Sequence, residues 1–498
     1  MKEDDHPGLF SFRSHRLRIS FLLSIAFCVT VCMRVNMSLG VTCMVNATAF
    51  APKSILLDNE SLPTRSSASC HPINDEKTAQ IDGYGGTLLW SPSMTSILLS
   101  APFYGQLVTM TFAGYLADRY GPKLALMGSV VNCMIGTAMG PFLAVRSYWG
   151  FWCSRALLGV GQTFVFPSCN SMAAKWFPPE ERATIGAIYT SGVQVAAGFT
   201  SFFVAALCTS PLGWPSIFYS FALIGFIWLL FWKFFVTDLP SENKWLSESE
   251  QLYIEKSTNS KKNSQHFKEQ VFPWRKILLS RVTQAVYVSQ FAFGYCAVLI
   301  QTYLPLYLKA ELYLPIHKNG VFMITPFLSQ IISKNLFALI SDYLKRNGYF
   351  DPTSLGKVFQ TFSCLGVAAS LLGMIYLPSC ENSWVVIPIL TLYGSAFSAS
   401  IPGSFASLLT IAPPYTGTVS SIAMAYLTVA GIGATQLVTI LEFLEWPNKW
   451  TIVFATGAAL NVFSLMAFLL FGEIKIQEWA ELKEVDAETA ELKGLVHS

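Results

Sequence analysis

The chain has 498 residues, of which 52% are hydrophobic and only 13% are charged, against about 25% charged residues in a typical soluble domain. This composition excludes an ordinary water-soluble protein and predicts a chain that lies in a lipid bilayer. The formal net charge of +3 is too small to indicate a nucleic-acid partner.

Apolar runs follow one another along the chain, each near the length of about 20 residues that an α-helix needs to cross a bilayer. They lie near 19–42, 87–116, 124–144, 148–173, 184–210, 215–237, 282–308, 318–340, 357–378, 383–408, 418–444 and 450–471. Six runs precede and six follow one long polar segment. The pattern predicts an all-α polytopic membrane protein with twelve transmembrane helices in two pseudo-symmetric six-helix bundles.

The same pattern predicts the domain boundaries. We expect a cytoplasmic N-terminus at 1–18, an N-terminal bundle at 19–237 with an outer loop at 43–86, a linker at 238–281, a C-terminal bundle at 282–471 and a tail at 472–498. Residues 246–254 of the linker are expected to form a short amphipathic helix.

The distribution of Lys and Arg predicts the orientation, because short cytoplasmic loops retain these residues. They collect before the first run, after the second and fourth, in the linker and after the eighth, so both termini and the linker should be cytoplasmic. The loop 43–86 then lies outside. It carries two N-glycosylation sequons, NAT at 46–48 and NES at 59–61, and we predict glycosylation of Asn46 and Asn59.

The eleven cysteines lie mostly inside apolar runs, where they behave as small hydrophobic residues. Only Cys43, Cys70 and Cys380 are predicted near outer loops. A bridge between Cys43 and Cys70 and free thiols at both positions are left as alternatives.

Two loops half a chain apart resemble each other. They are GYLADRYGPK at 114–123, after the second run, and ALISDYLKR at 338–346, after the eighth. The first block resembles the hallmark loop of the major facilitator superfamily. The resemblance implies that Asp118 lies against a neighbouring helix N-terminus and stabilises one state of two rocking halves. It marks Gly114, Asp118, Arg119, Gly121 and Asp342 as candidate switch residues.

Further segments are similar to the anion/cation symporter family, which includes type I sodium-phosphate cotransporters, sialin and vesicular glutamate transporters. They are RVNMS at 34–38, RALLGVGQ at 155–162, KWFPPEER at 175–182, GWPSIFY at 213–219, PWRKIL at 273–278, APPYTG at 412–417 and QEWA at 477–480. These matches span nearly the whole chain and imply an anion transporter, closest to the sodium-phosphate cotransporter-like group.

The charged residues inside the spans indicate the class of substrate independently of the resemblance to any family. Arg34 lies deep in the first span and Arg155 about two turns into the fourth, whereas no Asp or Glu lies comparably deep. A charge at such depth costs about 2.5–3.5 kcal/mol or more, and a guanidinium binds carboxylate, phosphate or sulfate through two parallel hydrogen bonds. We therefore predict a small anionic substrate. Asn36 and Ser38, which follow Arg34, and Gln162 complete the candidate site.

Other charged residues are interpreted as structural. Lys334 lies about two turns from the cytoplasmic end of its span, so its stem can carry the ammonium group to the interface. Glu442 and Glu445 lie near the outer end of the eleventh span and are expected to be solvated.

Gln162 recurs with Arg155, Gly159 and Phe166 on one helical face, which is predicted to line the cavity. The sequence departs here from sialin and the vesicular glutamate transporters, where a Glu thought to carry the coupling proton corresponds to Gln162. Because glutamine does not titrate, proton coupling through this position is not expected. Thr410 also replaces an Asp of the family pattern.

The coupling ion is left open between Na+ and H+. Sodium would need neutral oxygens, for which Asn36, Ser38 and Asn132 are candidates. Uncoupled transport driven by the membrane potential is a further alternative. So are sodium-coupled phosphate transport, sialin-like proton-coupled transport and a non-transporting sensor or scaffold.

No cluster typical of an enzyme is present, so catalysis is not expected. We expect a monomer in the plasma membrane, or alternatively in a lysosomal or vesicular membrane.

Overall fold

The computed structural model describes residues 11, 14–46, 82–178, 181–259 and 274–480, and these residues form a helical protein. The helices are α1 (His15–Met44), α2 (Pro92–Tyr120), α3 (Pro122–Ala138), α4 (Gly140–Arg146), α5 (Tyr148–Thr163), α6 (Val165–Trp176), α7 (Arg182–Cys208), α8 (Pro215–Phe235), α9 (Glu248–Asn259), α10 (Trp274–Leu279), α11 (Arg281–Val298), α12 (Leu304–Leu312), α13 (Ile316–Arg346), α14 (Pro352–Tyr376), α15 (Val386–Ser398), α16 (Ala406–Thr410), α17 (Thr416–Phe443) and α18 (Lys449–Phe471). The all-α fold predicted from the apolar runs is confirmed.

The helix ends follow local sequence signals. Proline occupies the first helical position of α2, α3, α8 and α14, where its missing N–H costs nothing because that group has no partner inside the helix. The side chains of Ser91 and Asp351 accept hydrogen bonds from the backbone N–H groups of Met94 and Thr353. Such caps satisfy backbone donors that the first helical turn leaves free.

Nine helices in the described ranges are long and apolar enough to cross a membrane, and ten if α3 and α4, which meet at 41°, form one bent span. The 29-residue helix α2 and the consecutive helices α5 and α6 pack among them at the places of the second and fourth predicted spans. The multi-pass membrane protein predicted from composition is confirmed, and the count of twelve spans stays a prediction.

The N-terminal and C-terminal groups of helices meet along two helix pairs. Helix α7 packs along α13, and α2 packs along α17. At the outer side, the Tyr84 hydroxyl donates to the Leu314 carbonyl at 2.6 Å, and the Lys309 ammonium donates to the Thr42 carbonyl at 3.2 Å. These bonds hold the outer ends of the two groups together. The domain boundaries remain a prediction.

Two spans of the C-terminal group contain irregular turns. A π-helical turn, Leu299–Tyr303, joins α11 to α12, and another, Ile401–Phe405, precedes α16. Inside the second turn Gly403 departs from helical geometry, with φ −89° and ψ −112°. Such turns are frequent at functional sites because they re-aim side chains and release backbone groups from the helical pattern.

A disulfide bond joins Cys43, at the outer end of α1, to Cys208, at the outer end of α7. The alternatives considered for Cys43, a bridge to Cys70 and a free thiol, are therefore both wrong. The apolar run at 184–210 predicts Cys208 inside a span, but Cys208 is the last residue of its helix and is bonded to the end of α1. Cys380 is also disulfide-bonded, and Cys70 lies outside the described residues.

The linker, whose cytoplasmic location stays a prediction, docks on the N-terminal group through Glu250 of α9. Glu250 accepts hydrogen bonds from the Ser14 hydroxyl at 2.7 Å and from Arg16 Nε at 2.8 Å. Arg16 also contacts Glu181 at 2.7 Å. The linker helix begins at Glu248, close to the predicted helix at 246–254, and it is fixed to the first span by buried ionic contacts.

Candidate substrate-binding site

Both deep arginines line one cavity between α1, α2, α5 and the π-helical turn after α11. The cavity has a volume of about 20 Å³, room for about one water molecule, and it is partly open to solvent. Its lining residues are Arg34, Val35, Met37, Ser38, Leu98, Leu99, Pro102, Phe103, Arg155 and Thr302. No Asp or Glu is among the lining residues in the part of the chain that the structure describes. The cavity is therefore cationic.

Arg34 reaches across the two groups of helices. Its Nη2 donates to the side-chain oxygen of Gln301 at 3.1 Å, and its guanidinium lies 5.8 Å from the centre of the Phe103 ring. Gln301 belongs to the π-helical turn of the seventh span. Among the described residues, this guanidinium donates its hydrogen bond to a neutral amide of the opposite half and forms no ion pair with an acid.

Arg155 is held by the first span. Its Nη2 donates to the carbonyl oxygens of Met33 and Arg34, each at 3.0 Å, and to the Asn36 side-chain oxygen at 3.3 Å. The residue is buried, with 1% of its surface exposed. Backbone carbonyls therefore satisfy one nitrogen of Arg155 and fix the position of the whole guanidinium beside Arg34.

Several hydrogen-bond donors at this cavity have no partner. Among the described residues, the buried atoms without one include Arg34 Nε, Ser38 Oγ, Arg155 Nε and Arg155 Nη1, and also Nδ2 of Asn36, a predicted site residue that does not line the cavity. A buried donor without a partner costs about 1–3 kcal/mol, so such groups are found where an unbound ligand or water completes the bonding. The donors and the two charges together fit an anion.

Gln162 lies deeper in the bundle and does not line the cavity. Its side-chain nitrogen donates to the Thr30 carbonyl at 2.9 Å, and its oxygen accepts from Gln106 at 2.9 Å. Gly159 of the same predicted face packs against α2, where a β-carbon would lie 1.9 Å from the Pro102 carbonyl oxygen. On the helical face that carries Arg155, Arg155 therefore lines the cavity, whereas Gly159 packs against α2.

The sequence model of the Major Facilitator Superfamily matches residues 17–435. The chain belongs to this superfamily. The uncharacterized transporter slc-17.3 from Caenorhabditis elegans is 30% identical over 490 residues, which cover 96% of this chain and 91% of that protein. The predicted major facilitator fold is confirmed.

Other relatives carry more specific names. Sialin from Homo sapiens is 27% identical over 467 residues, covering 94% of this chain and 91% of sialin. Sodium-dependent phosphate transport protein 1 from Mus musculus is 27% identical over 476 residues, covering 95% and 96% of the two chains. The predicted resemblance to the anion/cation symporter family is confirmed.

Solved structures of the superfamily share the fold. The xylose transporter XylE from E. coli in an inward-open conformation matches with a TM-score of 0.65 and 16% identity, covering 95% of this chain and 99% of the other. A D-xylose-proton symporter matches with a TM-score of 0.64 and 13% identity, covering 92% and 98%.

The ammonium group of Lys334 does not extend to the membrane interface. The interpretation of Lys334 as an interfacial lysine is therefore wrong. Its side chain is buried, with 9% exposed, and the ammonium donates to the Thr190 hydroxyl of α7 at 2.9 Å. Because α13 packs along α7 here, the stem of Lys334 points into the contact between the two halves and not toward water.

Glu442 is also not solvated, whereas Glu445 is exposed as expected. The Glu442 side chain is 6% exposed and lies 3.4 Å from the Lys449 ammonium. It accepts a hydrogen bond from Ser96 of α2. The end of α2 covers Glu442 because α2 and α17 pack together, and the carboxylate thereby joins the two halves at the outer side.

The candidate switch residues are only partly described. The surroundings of Gly114 and the side chain of Asp118 lie outside what the structure describes, and Arg119 and Asp342 are exposed. Gly121 has φ +90°, which favours glycine, and its ideal β-carbon would lie 2.9 Å from Asp238 Oδ1. Asp238 accepts from the Lys123 backbone N–H at 3.0 Å. The acid at the N-terminus of α3 is therefore Asp238, which is not among the residues predicted from the sequence. The role of Asp118 stays a prediction.

The two predicted glycosylation sites lie in the outer segment. Asn46 follows α1, is half-buried, and its backbone N–H donates to the Leu88 carbonyl at 3.0 Å. Asn59 lies outside the described residues. Glycosylation of both stays a prediction.

Proposed function

We propose that this chain transports a small organic or inorganic anion by alternating access, with the cavity of Arg34 and Arg155 as the substrate site. One observation carries the proposal: two guanidiniums and further unpartnered donors converge on a cavity whose lining contains no described acid. Two positive charges in a reduced dielectric need a counter-charge. The substrate supplies it when it binds.

The two arginines have different roles in this proposal. Arg155 keeps one fixed nitrogen on the backbone of α1 and presents Nε and Nη1 to the substrate. Arg34 exchanges its bond to Gln301 for a bond to the anion, so that binding alters a contact between the halves. Ser38 supplies a neutral donor at the same cavity, and Asn36, which does not line it, accepts a hydrogen bond from Arg155.

The coupling ion is Na+, as the name of the sodium-dependent phosphate transport protein suggests for that protein, or H+, or transport follows the membrane potential alone. Gln162 argues against a coupling proton at this position. Its amide cannot titrate, and its oxygen and nitrogen are both hydrogen-bonded inside the N-terminal group. With uncoupled transport, an inside-negative potential expels a monovalent anion with about 2.3 kcal/mol per 100 mV.

The test is flux of a panel of anions into proteoliposomes containing the purified chain. Phosphate, urate, sialate, glutamate and aryl carboxylates are each offered under imposed sodium, proton and voltage gradients, one at a time. Arg155→Ala should nearly abolish flux, and Arg34→Lys should weaken apparent affinity because lysine keeps the charge and loses the bidentate geometry. Arg146→Ala, an exposed arginine at the end of α4, is the matched control.

Wild-type flux in Arg155→Ala at normal membrane expression would contradict the assignment of the site. Absence of flux for every anion, with folded wild-type protein in the vesicles, would contradict the transport function itself and favour a sensor or scaffold.

A further inference from the structure

A second cavity lies inside the C-terminal group of helices, away from the two arginines. It is lined by polar but uncharged side chains from α11, α14, α18 and the π-helical turn before α16, with the stacked rings of Phe293 and Phe397 on one side. The oxygen-bearing residues used below are Ser289, Gln360, Ser363, Ser404, Asn461 and Ser464.

Part of this oxygen set is already bonded. The hydroxyls of Ser289 and Ser464 bond to each other at 3.1 Å. The Gln360 side-chain oxygen accepts from the Ser404 backbone N–H at 3.0 Å. These bonds fix the side chains on three different helices around the cavity.

Other oxygens are left free. The side-chain nitrogen of Asn461 donates to the Gly457 carbonyl at 2.8 Å and to Cys296 Sγ at 3.0 Å, which directs its oxygen elsewhere. Within the described chain, no hydrogen bond is made by that oxygen or by the hydroxyls of Ser363 and Ser404. All three residues are buried or nearly so in an apolar bundle, where polar groups without partners are costly.

The adjoining backbone is also irregular. Gly403 departs from helical geometry, and the Ser404 N–H is bonded to the Gln360 side chain. A β-carbon on Gly403 would lie 2.6 Å from the Gln360 side-chain oxygen, so a larger residue here would push the Gln360 amide away from the Ser404 N–H. Unwound backbone of this kind directs carbonyl oxygens toward a cavity, and such carbonyls coordinate alkali cations in other secondary transporters.

We infer that this cavity binds a monovalent alkali cation, Na+ in the first place, through the neutral oxygens of Ser363, Ser404 and Asn461. Neutral oxygen ligands fit a hard cation of low charge, whereas Ca²⁺ sites are built around carboxylates, and none lines this cavity in the described chain. An anion is disfavoured because no cationic side chain lines it either. The cavity of Arg34 and Arg155 repels a free cation, so the two ligands occupy separate places.

One span links the two cavities. The segment Arg281–Leu312 carries Ser289 and Phe293 on the cation cavity, and it carries Gln301 and Thr302, which lie within the π-helical turn, at the anion cavity. A cation bound beside Ser289 can therefore bias the position of Gln301, the partner of Arg34. Cation binding itself needs no anion and is testable alone.

The experiment measures ²²Na+ binding to the purified full-length protein in detergent, with thermal stability in Na+, K+ and N-methylglucamine as a second readout. Ser363→Ala and Ser404→Ala should each weaken Na+ affinity about tenfold, the effect of one lost bond to a charged group. Ser370→Ala is the matched control, because this serine lies on the same helix as Ser363 and its hydroxyl bonds to the Gly366 carbonyl.

A gain-of-function variant separates binding from folding. Asn461→Asp places a carboxylate at the cavity and should tighten Na+ binding, which a purely structural role of Asn461 does not predict. If wild-type protein shows no saturable ²²Na+ binding and no stabilisation by Na+ over N-methylglucamine, the cavity holds only water and the inference is wrong. Equal Na+ affinity in Ser363→Ala, Ser404→Ala and Ser370→Ala would also overturn it. Anion flux measured in sodium-free medium tests the transport proposal independently of either result.

Discussion

At the scale of single residues, the two cavity arginines differ in how firmly they are held. Arg155 is fixed by two carbonyls of α1, whereas Arg34 is tied to Gln301 of the opposite half. The first arrangement positions a charge permanently, and the second changes when the halves move. Residues with equal charge and similar depth can thus serve as a fixed ligand and as a sensor of the conformational state.

Gln162 provides a test of coupling at one position. Gln162→Glu introduces a titrating group between Thr30 and Gln106, and we expect it to add a dependence of flux on the proton gradient. Apparent substrate affinity should fall, because an ionised Glu competes with the substrate for Arg155. The measurement is anion flux with and without an imposed proton gradient.

The matched variant is Gln106→Glu, which adds the same charge to the bonded partner on α2. A wild-type protein already driven strongly by a proton gradient would show that Gln162 does not mark the loss of proton coupling.

At the scale of helices, close backbone packing between α2 and α5 shapes one wall of the anion cavity. An ideal β-carbon on Gly159 would lie 1.9 Å from the Pro102 carbonyl oxygen, and backbone atoms cannot yield as a flexible side chain can. Gly159→Ala should therefore destabilise the protein by about 1–3 kcal/mol and weaken anion binding, because Pro102 and Phe103 line the cavity.

Thermal unfolding and anion affinity of Gly159→Ala are compared with those of Gly128→Ala on α3, whose β-carbon would meet nothing within 4 Å. Identical behaviour of the two variants would mean that α2 and α5 are not packed as described.

The disulfide between α1 and α7 gives a second prediction at this scale. Cys43→Ser opens a bond that joins residues 165 positions apart, and we expect a loss of about 2–4 kcal/mol in stability. The unfolding temperature is measured with and without reductant. Cys153→Ser removes an exposed free thiol and should leave the unfolding temperature unchanged. An unfolding temperature of Cys43→Ser that equals that of wild type without reductant would contradict the pairing with Cys208.

At the scale of the whole molecule, several contacts join the two halves at the end of the bundle that is predicted to face outside. Ser96→Ala removes the hydrogen bond to Glu442, and opening of the outer side should become easier by up to about tenfold, because a bond to a charged group is lost. The readout is the rate at which an impermeant thiol reagent labels Leu99→Cys in a Cys153→Ser background.

Ser100→Ala, one turn further along α2, serves as the control for this measurement because the Ser100 hydroxyl bonds only to the Ile97 carbonyl of its own helix. Equal labelling rates in the two variants would show that the contact between Ser96 and Glu442 does not hold the outer side closed.

The contact of the linker helix α9 with the first span gives a pH-dependent prediction. Burial acts to raise the pKa of Glu250, but hydrogen bonds from Ser14, Arg16 and the backbone of His15 outweigh it, so this pKa is lowered. Because the folded-state pKa lies below the unfolded value of about 4.3, the contact stabilises the protein above that pH. The stabilisation is lost as the pH falls through the folded-state pKa.

Glu250→Gln should therefore lower the unfolding temperature near neutral pH and reduce its fall in acid, measured by intrinsic fluorescence across the pH range. Glu248→Gln, at an exposed position of the same helix, should behave as wild type. A pH profile of Glu250→Gln that matches wild type would contradict docking of the linker through this carboxylate.

Much of the fold could be predicted because its determinants are local along the chain. Apolar runs longer than about 20 residues define membrane helices whatever their neighbours are, and α1, α8, α14 and α18 begin and end close to the predicted positions. The depth of Arg34 and Arg155 is likewise visible in the sequence, since depth depends only on distance from the ends of a run.

The sequence by itself thus determined that the chain lies in a lipid bilayer, where its helices are, and that two arginines without acidic partners lie in its N-terminal half. Only the tertiary structure decided which residues meet: Cys43 with Cys208, Lys334 with Thr190, Arg34 with Gln301, and the hydroxyls around the second cavity. The physical reason is that these contacts join residues on different helices, and their pairing depends on how the helices pack. Packing is set by shape and by close backbone approach, which no periodicity along one run reveals.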